Sequence, residues 1–190
     1  SLQWFNNKLL IKKIITIFIG TIILNHISLS SAQDLTSYEE EKLPKIILFD
    51  ENKKKINLNS YFKKNNYQVI ILNFWATWCL PCIDELPSLN KLAKKLNQNK
   101  IKIIAVSMDR GNEKKLIRFL KEKGGDNLIF LQDKKWSAGK LLNISGLPET
   151  FIIIKKVNDY KVIFRHLGPL EWDSEEIKNK IIQFIEKNKT

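Results

Sequence analysis

Cys79 and Cys82 are the only cysteines among the 190 residues, and they stand three apart in Trp78-Cys79-Leu80-Pro81-Cys82. Two thiols at that spacing can form and break a bond with each other, and the thiolate of either can attack a disulfide elsewhere. The flanking sequence suggests how the work divides. Val69 to Trp75 is a short apolar run rich in β-branched and aromatic residues, and Leu80 to Lys95 has helical spacing. This predicts a buried strand, a tight turn and a helix opening at the first cysteine. A thiol at a helix N-terminus faces unpaired N–H groups and the positive end of the helix dipole, both of which favour thiolate. Cys79 is therefore the expected nucleophile, and Cys82, one turn further on, the expected resolving thiol that attacks a mixed disulfide at Cys79. A helix terminus contributes about 0.3–1 kcal/mol and one pKa unit corresponds to about 1.36 kcal/mol, so the dipole alone lowers Cys79 by less than about one unit.

Two blander readings compete: an inert structural disulfide, and half of a metal site. A small zinc site takes four ligands, and the chain adds only His26 and His166 to the two cysteines. His26 falls in a segment read below as targeting sequence. No metal and no cofactor other than the redox-active Cys79–Cys82 pair is expected.

The length and the 44% hydrophobic content suit one well-buried domain with an extension. The net charge of +12 resembles a nucleic-acid signal until the cations are sorted: Arg110, Arg118 and Arg165 are the only arginines, and the remaining positive charge is scattered lysine. Without an arginine cluster or an aromatic-basic platform, nucleic-acid binding is not expected. A weak attraction to anionic membrane surfaces is compatible with the charge.

Lys8, Lys12 and Lys13 precede an apolar stretch from Ile14 to Leu24, and Ser30-Ser31-Ala32 follows. A basic region, an apolar core and small residues at a cleavage point make residues 1–32 an export signal or an uncleaved membrane anchor. The uninterrupted core is shorter than the roughly 18 apolar residues of a spanning helix. Either way the following chain is expected outside the cytoplasm, in a periplasm-like compartment that is oxidising. A dithiol kept reduced there needs an electron donor.

Residues 33–44 are polar and acidic, with Glu39-Glu40-Glu41, and are expected to form a solvated linker, leaving 45–190 as the domain. Lys45 to Asp50 and Lys55 to Leu58 flank Asp50-Glu51-Asn52 as a β-hairpin. After the strand at Val69 and the helix from Leu80 to about Leu96, with Pro87 inside it, Ile101 to Met108 reads as a second buried strand. Glu113 to Lys123 is an amphipathic helix closed by Gly124-Gly125. Leu128 to Leu131 and Trp136 to Leu142 read as a strand and a short helix. Phe151 to Ile154 and Val162 to Phe164 form a hairpin, and Ser174 to Lys187 a closing helix with Ile177, Ile181 and Phe184 as its apolar stripe. The order implies an α/β fold: a mixed central sheet flanked by helices, with an N-terminal hairpin and an inserted strand-helix.

The strand, Trp-Cys-x-x-Cys, helix and the later Gly146-Leu147-Pro148 together resemble the thioredoxin superfamily from Lys45 to Lys187, so a thioredoxin-like fold is expected. Asn73 to Cys82 followed by Glu85-Leu86-Pro87, Ala105 to Gly111, and Gly168 to Ser174 are similar to its exported TlpA-like branch. That resemblance implies a thiol-disulfide oxidoreductase, a reductant in the assembly of cytochrome oxidase copper centres. Pro148-Glu149-Thr150-Phe151 instead resembles the thioredoxin-like protein of cytochrome c maturation, which implies apocytochrome haem-binding cysteines as the client. A copper-binding chaperone is a third, weaker reading, since such proteins of this fold have wider cysteine spacing and a nearby His.

The resemblance also implies a cis Leu147–Pro148 bond facing the dithiol, which exposes the Leu147 backbone to a substrate strand. Glu85 shares a helix face with Cys82; it is expected to disfavour the Cys82 thiolate and to accept its proton during resolution. Trp78 is expected to shield the disulfide and contact partners, with Trp75 in the core. Leu80 and Pro81 tune redox poise. Glu149 reads as a partner-recognising or solvated carboxylate, and His166 as no ligand. The expected partners are protein disulfide substrates, a membrane electron donor and, through the N-terminal segment, the membrane; a monomer is expected.

Overall fold

The computed structural model describes residues 39–96, 101–157 and 159–188. The export segment expected over 1–32 lies outside the described residues, as do 33–38 of the expected linker. Among the described residues no helix is long and apolar enough to cross a membrane.

Among the described residues eight strands make one sheet: β1 (Glu41–Lys42), β2 (Ile47–Phe49), β3 (Lys55–Asn57), β4 (Val69–Trp75), β5 (Ile101–Ser107), β6 (Ile129–Gln132), β7 (Glu149–Lys155) and β8 (Tyr160–Leu167), in the order β1-β8-β7-β4-β5-β6-β2-β3. β4 runs parallel to β5 and antiparallel to β7, and β5 runs parallel to β6. Every residue of β4 is buried, as its run of apolar residues, broken only by Asn73, requires of a central strand covered on both faces. The helices among the described residues are α1 (Leu58–Lys64), α2 (Leu80–Leu96), α3 (Glu113–Glu122), α4 (Ser137–Leu141) and α5 (Glu175–Asn188). The fold is thioredoxin-like α/β, as the sequence implied.

Four expectations need correction. The stretch 33–44 is not linker throughout: Glu41 and Lys42 pair with Val162 and Lys161 of β8, and Leu43 is buried in the core. The folded unit therefore begins before residue 45. Helix α1 was not expected. Asn57 caps it by accepting from the Ser60 N–H at 3.0 Å, and Leu58 and Phe62 are driven into the core, Phe62 edge-on to Tyr160 with ring centroids 5.2 Å apart. The β7–β8 hairpin is longer than expected, because Glu149, Thr150 and the residues through Leu167 continue the ladder. In α5 the buried stripe is Ile177, Ile181 and Ile185; Phe184 is only partly buried and packs edge-on to Phe164.

Helix α2 begins where β4 ends, so the turn between them, Ala76 to Cys79, is held between two rigid elements. Behind it, Gly124 closes α3 at φ +88°, and a Cβ there would lie 3.3 Å from Pro87 Cγ on α2. Gly124→Ala is therefore expected to cost about 1–2 kcal/mol from left-handed strain, to which crowding of the α2 contact adds. The midpoint of denaturant unfolding checks this.

Candidate functional site

Cys79 precedes the first residue of α2, and its disulfide to Cys82 lies across the first turn of that helix. The Cys82 N–H points at Cys79 Sγ, 3.3 Å away. When the bond is reduced, that donor and the helix N-terminus favour a thiolate at Cys79. The two sulfurs differ in access. Cys79 is 6% exposed and Cys82 is fully buried, while the flanking Trp78 and Leu80 are 64% and 71% exposed. An incoming molecule thus meets Cys79 at the centre of an apolar rim.

The turn carrying the nucleophile is anchored from β5. Asp109 accepts from Thr77 N–H (3.0 Å) and from the Thr77 hydroxyl (2.7 Å), and the Ser107 hydroxyl donates to it at 2.9 Å. The sequence reading noted Asp109 only as part of a family stretch. Its role depends on the parallel β4–β5 pairing, which sets Trp75 opposite Ser107.

Glu85 lies one turn beyond Cys82 and is almost wholly buried. Three donors hold its carboxylate, leaving Oε1 with acceptor capacity to spare: Asn73 Nδ2 donates to Oε1 at 2.8 Å, while Leu170 N–H and Trp172 Nε1 donate to Oε2 at 3.1 and 2.7 Å. Asn73 Nδ2 also donates to the Thr150 hydroxyl at 2.9 Å, and its own Oδ1 is buried without a partner. Burial pushes the Glu85 pKa up to about 7, and the donors from Trp172, Asn73 and Leu170 restrain the rise. Glu85 is thus a carboxyl poised to gain or lose a proton near neutrality. Leu170 and Trp172 come from the segment linking β8 to α5, which is strapped to α2 by Ser88: its hydroxyl donates to Leu170 O, and Trp172 N–H donates back to it, each at 3.3 Å. Sequence reasoning placed Glu85 but not this cradle, since Trp172 is 87 residues away along the chain.

The Leu147–Pro148 bond is cis. Leu147 is partly buried against the core, and the neighbouring Leu167 is 52% exposed. Glu149 departs from its expected role: it is fully buried and paired with Arg165, so it presents no carboxylate to a partner. His166 is half-buried and stacks on Phe164, and burial lowers its pKa. Among the described residues no group of three or more His, Cys, Asp or Glu side chains is placed to hold a metal ion.

A Cys-x-x-Cys disulfide opening the helix after the central strand of a thioredoxin-like sheet defines a dithiol exchange site of the thioredoxin type. By sequence, residues 40–158 match the model of the AhpC/TSA family, and the chain belongs to that family. Over 120 residues it is 37% identical to the thiol:disulfide interchange protein DsbE of Pasteurella multocida, a match covering 60% of this chain and 61% of that protein. This chain therefore spans about three fifths of that relative's length. It is 30% identical over 170 residues to the thiol-disulfide oxidoreductase ResA of Bacillus cereus, covering 84% and 90% of the two. Among solved structures it is similar in fold to a thiol:disulfide interchange protein from Bacteroides sp., with TM-score 0.61, 20% identity, and 78% and 91% coverage.

Proposed function

We propose that this chain is an exported thiol-disulfide oxidoreductase that reduces protein disulfides. The observation that carries the reading is the access difference between the two sulfurs: Cys79 lies within an apolar rim and Cys82 is buried behind it. In the reduced protein the Cys79 thiolate attacks one sulfur of a substrate disulfide. A Cys79–substrate bond forms and the other substrate sulfur leaves as a thiolate. Cys82 then gives its proton to Glu85 and attacks Cys79 Sγ. The Cys79–Cys82 bond closes and the second substrate sulfur is released. The substrate gains two electrons and the protein loses them. Export supplies an oxidising surrounding, so an external dithiol donor, expected at the membrane, must restore the pair. The positive residues before Ile14 support an N-terminal segment that exports or tethers the domain.

The client we propose is the disulfide of apocytochrome haem-binding cysteines. The similarity to DsbE and ResA and the Pro148-Glu149-Thr150-Phe151 stretch support it. A copper-centre assembly protein is the second reading, supported by Leu80-Pro81 and the Gly168 to Ser174 segment. Reduced protein mixed with a Cys-x-x-Cys-His peptide disulfide should release two peptide thiols per protein oxidised. If the peptide stays oxidised while a copper-centre subunit is reduced, the second reading replaces the first. If no protein disulfide is reduced, both fail.

A further inference from the structure

Leu147 and Pro148 sit at the end of a loop that begins after α4, and this loop is held from behind by a buried ion pair. Glu149 Oε1 is paired with Arg165 Nε, and Glu149 Oε2 accepts the Ser145 N–H at 3.1 Å. Arg165 Nη2 reaches back to Asn143 O at 2.6 Å. Asn143 itself adopts φ +52°, which an Asn tolerates better than most residues. The Arg165 guanidinium also lies over the Phe151 ring, 5.5 Å from its centroid. On the far side, Gly168 N–H donates to Pro148 O at 2.9 Å.

We infer that Glu149 and Arg165 are positioning residues for substrate, a clamp that holds the Asn143 to Pro148 loop where the Leu147 backbone can pair with an extended disulfide-bearing chain. Strand addition depends on main-chain groups being set at hydrogen-bond distance before the partner arrives. The clamp fixes both the start of the loop, at Asn143, and its middle, at Ser145. It uses a bidentate-capable guanidinium rather than a flexible ammonium, which holds direction as well as charge. Its recorded contacts are to the loop, at Asn143 and Ser145, so it acts on the loop. The inference deepens the proposed reduction of protein disulfides and rests on that reading.

The test compares two substrates on one enzyme: a pair of extended peptides joined by a disulfide, and hydroxyethyl disulfide, which has no backbone to pair. In Arg165→Met, KM for the peptide disulfide is expected to rise by about tenfold, the effect of losing roughly one aligned hydrogen bond. The ratio of peptide rate to small-disulfide rate should fall by the same factor. Removing Arg165 alone strands a buried carboxylate, so the double variant Glu149→Gln with Arg165→Met is measured alongside and should keep the lowered ratio. An unchanged ratio, or a return to the wild-type ratio in the double variant, overturns the clamp. Wild-type protein that reduces neither substrate overturns the oxidoreductase reading instead.

Discussion

A Cys79→Ala variant is expected to lose disulfide-reducing activity by roughly a thousandfold or more, because the remaining thiol, Cys82, is fully buried and cannot reach a substrate sulfur. Cys82→Ser should behave differently. It retains the more accessible nucleophile, so the first exchange proceeds and stops, and covalent Cys79–substrate adducts accumulate. Non-reducing gels followed by mass spectrometry read the difference. A chain in which both variants keep wild-type activity would have an inert disulfide, and one in which Cys82→Ser captures nothing would lack the two-step exchange.

The second large effect concerns Glu85 and pH. Its pKa is raised from 4.5 to about 7 in the folded protein, with burial as the main cause. The folded state therefore holds a proton that the unfolded state releases, and folding is favoured most below the unfolded value. That stability declines as pH rises from about 4.5 to about 7 and is level above. At 1.36 kcal/mol per unit the span is on the order of 3 kcal/mol. Glu85→Gln removes the titration. Relative to wild type it should be about equally stable near pH 4.5 and more stable at pH 8 by up to about 3 kcal/mol, read from paired denaturation curves. Asn73 makes this substitution tolerable: turning its amide presents the unpartnered Oδ1 to the new donor, and the Thr150 hydroxyl can donate in place of accepting. The same variant should slow resolution about tenfold or more at neutral pH, since the proton from Cys82 loses its acceptor. A difference curve without slope between pH 4.5 and 7 would place the Glu85 carboxyl at an ordinary value.

The parts of the fold written in local pattern were legible. The apolar run Val69 to Trp75, the helical spacing after Leu80 and the turn residues Asp50-Glu51-Asn52 each correspond to an observed element. Helix α1 carried a local signal that was passed over: Asn57, a favoured N-cap residue, stands directly before Leu58, Tyr61 and Phe62 at helical spacing. β1 carried almost none, since a two-residue strand exists only through its pairing with β8. The site divides the same way. Cys79, Cys82 and Glu85 follow from spacing along one helix, and the structure places Cys82 and Glu85 in its buried interior. The cradle from Trp172 and the pairing of Glu149 with Arg165 depend on contacts 87 and 16 residues apart. A polar residue looks the same in sequence whether it is solvated or buried with a partner.

The two outermost strands carry a consequence of their own. β1 has two residues, both exposed, one Glu and one Lys; β3 has three and begins with an exposed Lys55. Open sheets tend to recruit stray strands along their margins, and short, charged margins discourage it. An oxidoreductase of the proposed kind, acting on protein disulfides, meets extended segments with unpaired backbone. Blunted margins keep those segments from adding to the sheet and growing into aggregates, leaving the Leu147 loop as the place where a passing chain is expected to pair.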